Sequence, residues 1–418
     1  MLRVLWVVNI VLPDAAHLVG EGKIAFGGWI GAMLNQLSRT PGIELGVVTR
    51  ADVPARSSAY INGIQYYILP QSCRDKYDIS SEDCRFVLDE FRPDLLHVEG
   101  TEFSHALTFL NSWQGKNVVS LQGIINGYEP YQYGGLPVGE MLFSFSSVKV
   151  MVAASLIYRK LALFMPRLKG EVNAIRKAQN ILGRTTWDHA YAYAMNPDAP
   201  YYSCNRILRD EFYRQRWDIA VMERHSVFIG NAASALKGAH FALTAIAQLK
   251  REYPNIKLYI AGVSPFGSTR KVFTGLIGYP AYLRYLIRKL DIKANVVFTG
   301  VLQADEMATL LSRVNAFVLC STIENSPNTL GEAMAMGVPC ISSFVGGAAD
   351  MAHDGEEALF YRDNDPVQLA FQIKRIFDDE GLALKLSSNA RHRALDTHDP
   401  QDNVSKILRA YYEILGKR

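Results

Sequence analysis

Residues 316–342 read AFVLCSTIENSPNTLGEAMAMGVPCIS. Ala316–Leu319 and Pro339–Ser342 are short apolar runs of strand length. Between them, Thr329–Met336 has a helical pattern, and the turn formers Asn325, Ser326, Pro327 and Asn328 stand directly before it. Strand, turn, helix and strand in that order make a βαβ unit. Continuous apolar strands joined by helices imply a parallel sheet covered on both faces. The strand Ala316–Leu319 runs straight into the turn, which places the turn at the carboxyl edge of the sheet. That edge is where open α/β sheets bind their ligands.

The same alternation extends outward on both sides. Upstream in this half it predicts strands at Ser226–Ile229, Lys257–Ala261 and Asn295–Phe298, with helices at Lys237–Glu252, Tyr279–Leu290 and Asp305–Arg313. Downstream come helices at Pro366–Phe377, Leu382–Ala394 and Asn403–Leu415. The first half repeats the theme. Its strands are expected at Arg3–Asn9, Glu44–Thr49, Gln65–Leu69, Asp94–Val98, Asn117–Leu121 and Asn180–Gly183. Its helices are expected at Gly28–Leu37, Ser80–Phe91, Glu102–Trp113, Trp187–Tyr193 and Arg206–Trp217, with a long helical stretch over 139–178 broken near Pro166. The fold class is therefore α/β, with two doubly wound Rossmann-like domains facing a central cleft. The expected ranges are 1–222, 223–398, and a C-terminal helix over 399–418.

The composition narrows the function classes. The chain has 418 residues, half of them apolar, and its 44 Lys and Arg nearly balance 41 Asp and Glu. Wholesale disorder and a basic nucleic-acid-binding surface are thereby excluded, so no nucleic-acid partner is expected. Five scattered cysteines form no Cys-x-x-Cys pair, which fits reduced thiols in a cytoplasmic protein. The opening MLRVLWVVNIVLP lacks a small-residue cleavage site and reads as a buried first strand. Met141–Tyr158 is interrupted by four serines and Lys149, so a spanning helix is not expected.

Within the opening stretch, Glu324 and Glu332 stand eight residues apart around the turn. Amides at the start of a helix suit a diphosphate, helped by the helix dipole. Glu332, placed in the first turn, could accept hydrogen bonds from a ribose diol. The plainer alternative is a capped helix whose glutamates complement the dipole. Glu324-x7-Glu332 enclosing Ser-Pro-Asn-Thr-Leu, followed by Glu-Ala-Met-Ala-x-Gly-x-Pro, closely resembles the donor-site signature of family-4 retaining glycosyltransferases of the GT-B architecture. Lys237-Gly238, LYIAG at 258–262, Phe298-Thr-Gly300, FVGGA at 344–348 and Gly27-Gly28 stand in the family's order.

The resemblance implies a nucleotide-sugar donor as a substrate, with no cofactor and no metal. It implies a saccharide or lipid-linked saccharide acceptor, in cell-surface polysaccharide or glycoconjugate synthesis. It makes Lys237 and Glu324 catalytic, with Lys237 neutralising the leaving diphosphate. Glu324, Asn325, Ser326, Asn328 and Thr329 would contact the transferred sugar and the phosphates, and Glu332 the ribose. Gly27 and Gly28 would let the backbone approach the phosphates. Asn231 falls in the donor set where the family carries an arginine. Either another cation such as Arg184 substitutes there, or donor affinity is modest. Gln122 stands where the family often has a histidine; it can bind a hydroxyl but cannot act as a base. Internal return, in which the leaving phosphate takes the acceptor proton, needs no such base.

Acceptor-binding residues are expected at strand ends and in an aromatic loop: Glu99, Gln122, Tyr128, Arg184 and Asp188. For Asp188 the alternative is a helix N-terminal partner, and His97 reads as a core histidine. Tyr128 belongs to the loop GYEPYQYGGLP with Tyr131 and Tyr133, rings that either stack on sugars or pack on helices. The stretch 141–177 carries seven basic residues against one acidic residue among apolar ones. It either makes a peripheral contact with an anionic membrane, at the inner face of the cell membrane, or packs on the sheet with a solvated basic face. Asp363-Asn364-Asp365 has metal-ligand spacing, but it precedes Pro366, so Asp365 reads as an N-cap. Two other functions stay open: an epimerase or phosphorylase on the same double sheet, and a nucleotide-sugar-binding protein without catalysis.

Overall fold

The computed structural model describes residues 1–21, 27–73, 75–262, 264–266 and 278–417. The chain packs as two compact units. One comprises Met1–Gly127, Pro166–Arg209 and His398–Arg418; the other comprises Tyr128–Met165 and Asp210–Thr397. These ranges differ from the expected 1–222 and 223–398 chiefly in that Tyr128–Met165 packs with the second half of the chain.

The first unit is built on a sheet ordered β3-β4-β2-β1-β5-β6-β7-β8 among the described residues. Its strands are β1 Leu2–Val8, β2 Ile43–Ala51, β3 Ser57–Ile61, β4 Ile64–Pro70, β5 Leu95–Glu99, β6 Lys116–Ser120, β7 Ile181–Gly183 and β8 Tyr201–Ser203. Every pairing is parallel except β3 with β4. That hairpin turns on Asn62 and Gly63, at φ 51° and 83°. Both values are left-handed, as the tight two-residue turn requires.

Strands β1 and β5 are buried almost throughout because helices cover both faces. On one face Leu2, Val4, Trp6 and Val8 pack with Ile30, Leu34 and Leu37 and with Ile407, Ala410, Tyr411 and Ile414 of the last helix, Pro400–Ile414. That helix is held further by Asn403, whose Oδ1 accepts from the Asn205 amide at 2.9 Å. The histidine preceding it, His398, meets the Arg206 carbonyl through Nδ1 at 2.8 Å.

The second unit has a sheet ordered β11-β10-β9-β12-β13-β14, parallel at every pairing. Its strands are β9 Glu223–Ile229, β10 Lys257–Ala261, β11 Val296–Gly300, β12 Val314–Leu319, β13 Cys340–Ser343 and β14 Ala358–Tyr361. The order reverses between β9 and β12, which makes the gap between their carboxyl ends the topological switch point.

Two helical expectations need correction. Arg206–Trp217 is helical only over Asp210–Arg214; Arg206 is instead drawn into a buried ion pair described below. The long stretch is not broken at Pro166. The helix Ser147–Tyr158 passes through a π-helical segment, Arg159–Phe164, into the helix Met165–Lys177. Proline lacks an N–H and its ring crowds the carbonyl four residues back, and a π segment just before it absorbs that conflict.

Candidate functional site

The switch point of the second unit gathers the Lys237 and Glu324 segments. After β9 the chain runs through Gly230 and Asn231 to a single 3-10 turn, Ala235–Lys237, and then to the helix Ala239–Leu249. Gly238 sits at φ 67° against the Cys320 carbonyl, and a Cβ there would collide with that oxygen. The Thr322 amide donates to the Leu236 carbonyl at 2.8 Å. These contacts lock the Lys237 turn onto the loop that follows β12.

Lys237 Nζ consequently lies 2.6 Å from Glu324 Oε1. The same oxygen accepts from Ser321 Oγ at 2.7 Å. The lysine side chain keeps 35% of its exposure and the glutamate 10%. A half-exposed ammonium has three donors and uses one here, so it can also hold an anion. The Glu324 carbonyl accepts from the Gly347 amide at 3.0 Å, and Gly346 is packed against it too closely for a side chain.

The helix Asn328–Met336 begins one residue earlier than expected, and its N-cap is Pro327, which makes no side-chain cap. Asn325, Ser326 and Asn328 are therefore not its caps. Asn325 is buried, while Ser326, Asn328 and Thr329 keep partial exposure. First-turn amides and the dipole behind them suit an anion. Thr329 packs against Gly230, its Cγ2 being 3.2 Å from where a Cβ would stand. Glu332 lies beyond the first turn rather than in it, and it is buried. Asn231 is exposed, and its Oδ1 accepts from the Ala233 amide at 2.7 Å.

The residues expected to bind the acceptor are used differently. Glu99 closes β5 and is fully buried, as is Arg206, whose Nη2 meets Glu99 Oε1. His97 Nε2 lies 3.3 Å from Glu99 Oε2, and its Nδ1 meets Tyr411 Oη at 2.6 Å. His97 is thus the core histidine that the sequence suggested. Burial alone would raise the Glu99 pKa. The Arg206 guanidinium and the His97 ring outweigh it and hold the carboxyl well below the usual carboxylate range.

Asp188 is fully buried in a capping box with Thr185, and its carboxylate also accepts from the Arg184 amide at 3.1 Å and from Tyr201 Oη at 2.5 Å. Arg184 donates through Nη2 to the Leu121 carbonyl at 2.5 Å. Burial, with Arg206 nearby, lowers the Arg184 pKa to about 10. Gln122 Nε2 donates to the Glu99 carbonyl at 3.4 Å. Tyr128 ends the short helix Ile125–Tyr128 and is counted with the second unit. Gly27 and Gly28 open the helix Gly28–Ser38 in the first unit. Gly27 is at φ 89°, where a side chain would stand 2.6 Å from Ile10 Cδ1; one on Gly28 would stand 2.6 Å from Arg209 Cδ.

Two further carboxylates escaped the sequence reading, Glu171 buried and Glu102 partly buried. Glu102 accepts from Asn9 Nδ2 at 2.6 Å and from the Gly123 amide at 2.9 Å. Glu171 accepts from the Ile125 amide, the Asn126 amide and Asn126 Nδ2, at 2.8, 2.8 and 2.7 Å. Burial pushes Glu171 up to about 7. No local motif marks either residue, since the partners lie far along the chain. The Asp365 N-cap is as expected: its Oδ1 accepts from the Val367 and Gln368 amides at 3.1 and 2.9 Å.

A parallel sheet in Rossmann order, with a lysine, two buried glutamates and a helix N-terminus at or beside its switch point, defines a doubly wound ligand-binding domain. Residues 209–393 match the family described as glycosyl transferases group 1. It is 31% identical over 130 residues to N-acetyl-alpha-D-glucosaminyl L-malate synthase of Bacillus anthracis, which covers 31% of this chain and 34% of that protein. It is 26% identical over 210 residues to glycogen synthase of Mycobacterium tuberculosis, covering 49% of this chain and 47% of the relative. The chain thus matches less than half the length of these relatives. Its fold is the GT-B fold of solved glycosyltransferases. Sucrose-phosphate synthase of Thermosynechococcus elongatus matches over 100% of both chains with TM-score 0.74 at 16% identity. Anabaena Alr3699/HepE in complex with UDP-glucose matches 99% of this chain and 100% of that one, with TM-score 0.68 at 15% identity.

Proposed function

We propose that the protein is a retaining, family-4 glycosyltransferase that moves a sugar from a nucleoside-diphosphate donor to a saccharide or lipid-linked saccharide. The observation that carries this reading is Lys237 on Glu324 beside the start of the helix Asn328–Met336. Together they make a cationic, amide-rich cradle for a diphosphate. The bond from the sugar's C1 to the diphosphate oxygen breaks, and the bond to the acceptor oxygen forms on the same face. The acceptor proton goes to the leaving oxygen. Negative charge grows on the diphosphate during this step, and preorganised donors there are usually the largest catalytic term. The solved Anabaena Alr3699/HepE, which has the same fold, holds UDP-glucose, which supports a nucleotide-sugar donor. The positive field comes from Lys237 and the helix N-terminus, so no metal has a role in this scheme.

Glu332 is assigned to the ribose of the donor. The test is a thermal-shift panel of uridine, guanosine and adenosine diphosphates and their sugars on the wild-type chain and on Glu332→Ala. One base family should stabilise the wild type, and the variant should bind that nucleotide about tenfold more weakly, the worth of roughly 1.4 kcal/mol of hydrogen bonding. No stabilisation of the wild type by any nucleotide overturns the donor assignment.

The membrane contact of a lipid-linked acceptor is assigned to the second unit. There Phe143, Phe145, Tyr158 and Leu161 are exposed next to the exposed Arg159. Large apolar side chains beside a basic one favour an anionic bilayer surface. No described helix is long and apolar enough to cross a membrane.

A further inference from the structure

At the carboxyl edge of the first unit's sheet, two arginines and two aromatic rings form a cluster that no role above uses. Tyr77 and Phe103 stack with ring centres 4.7 Å apart and planes 12° apart. The Arg50 guanidinium, from the end of β2, lies 4.8 Å from the Phe103 ring centre and 5.4 Å from that of Tyr77. The Arg167 guanidinium lies 5.2 Å from the Tyr77 ring centre and 5.4 Å from that of Phe103. Both cations flank the same rings, so they stand no more than about 10 Å apart.

Arg50 carries the argument. It is half-buried, and its Nε is shielded from water with no hydrogen-bond partner among the described residues. It forms no ion pair with them either, although carboxylates are close by. Those carboxylates are committed elsewhere. Asp75 accepts from the Tyr77 amide at 2.8 Å and from Ser104 Oγ at 2.6 Å, and Asp78 accepts from the Ile79 amide at 2.9 Å and from Thr108 Oγ1 at 2.6 Å. A desolvated guanidinium without an acceptor is costly. Stacking on a ring leaves its N–H fork open at the rim, in the geometry that matches a phosphate or a carboxylate.

We propose that Arg50, with Arg167 beside it, binds an anionic oxygen group on the acceptor, a phosphate ester or a carboxylate, with the Tyr77–Phe103 stack fixing the guanidiniums. The word "acceptor" rests on the glycosyltransferase reading; the anion site itself does not. It shares no residue with the Lys237 cradle, which lets the two be tested separately.

The experiment uses the full chain carrying Lys237→Ala, so that phosphate cannot report on the diphosphate cradle. Thermal unfolding is followed in about 10 mM inorganic phosphate, in acetate, and in chloride at matched ionic strength. Phosphate or acetate should raise Tm by about 2–4 °C over chloride. Arg50→Gln should remove that rise, and Arg167→Gln should reduce it. A phosphate response assigns a phosphate ester, and a response to acetate alone assigns a carboxylate. No rise over chloride with either anion overturns the proposal, as does a rise that Arg50→Gln leaves intact. Should Arg50→Gln unfold, Arg50→Lys is read instead: it keeps the charge, loses the fork and should shift the half-saturating anion concentration about tenfold. On the Lys237 chain, Arg50→Gln should leave nucleoside-diphosphate stabilisation unchanged. If no nucleotide binds but the anion response stands, the donor reading alone has failed.

Discussion

The two sheets end in charged residues at the same kind of edge, yet they use them in opposite ways. In the second unit, Lys237 and Glu324 form a pair whose lysine is still a third exposed, beside a helix start whose N-cap is a proline. In the first unit, Glu99 and Arg206 form a pair that is almost completely buried, and Asp188 spends its carboxylate on amides and a tyrosine hydroxyl. A charge at a strand's carboxyl end is therefore a ligand contact only when its partners leave it unfinished. The Lys237 pair can exchange a contact for a phosphate. The Glu99 pair cannot open without exposing two desolvated charges.

The sharpest way to break this contrast is Glu99→Gln. If the pair is structural, removing its negative member leaves Arg206 buried without a counterion and costs about 3–5 kcal/mol of stability. Denaturant unfolding measures this at pH 7. The sign with pH is fixed by the depressed Glu99 pKa: the wild type's advantage is complete above the ordinary carboxylate pKa and shrinks as pH falls below it. A variant with wild-type stability and a raised KM for acceptor would return Glu99 to the binding site. The converse test is Lys237→Ala. Its turnover should fall roughly 10²–10³-fold, equivalent to about 2.7–4 kcal/mol of transition-state stabilisation. Its stability should change by only about 0–1 kcal/mol, because the lost ion pair is partly exposed. Unchanged turnover removes Lys237 from the site.

The same contrast explains what the sequence could convey. Most of the residues proposed to hold the donor lie in one contiguous βαβ stretch, where turn formers, apolar periodicity and paired glutamates are all local signals. The alternation of strand and helix marked most of both sheets, and Asn62-Gly63 offered a hairpin signal for β3 that the reading passed over. The first unit's edge is assembled from positions 50, 77, 103 and 167, which come together only through the strand order and the path of the helix Met165–Lys177. Glu99 and Asp188 looked like ligands because a strand end predicts proximity to an edge, not which partners fill the carboxylate. The π segment before Pro166 has no periodic signature of its own. The packing of Tyr128–Met165 with the second unit is equally a matter of tertiary contacts, which a helical pattern does not specify.

Glu171 sharpens the contrast further, because it is a buried carboxylate of the first unit that no cation among the described residues pairs. Three amide hydrogens from Ile125 and Asn126 point at it, but burial outweighs them and raises its pKa from 4.5 to about 7. A folded-state pKa above the unfolded one means that the contribution is fully present below pH 4.5. It is lost as pH rises through about 7. The loss across that window is on the order of 3 kcal/mol. Glu171→Gln has no proton to lose. The wild type should therefore lose stability relative to the variant between pH 4.5 and 8, in denaturant melts run at intervals across that range. A difference that stays flat with pH would mean that the carboxylate is solvated. In that case the first unit's edge has at least one charge open to a ligand, as the second unit's has.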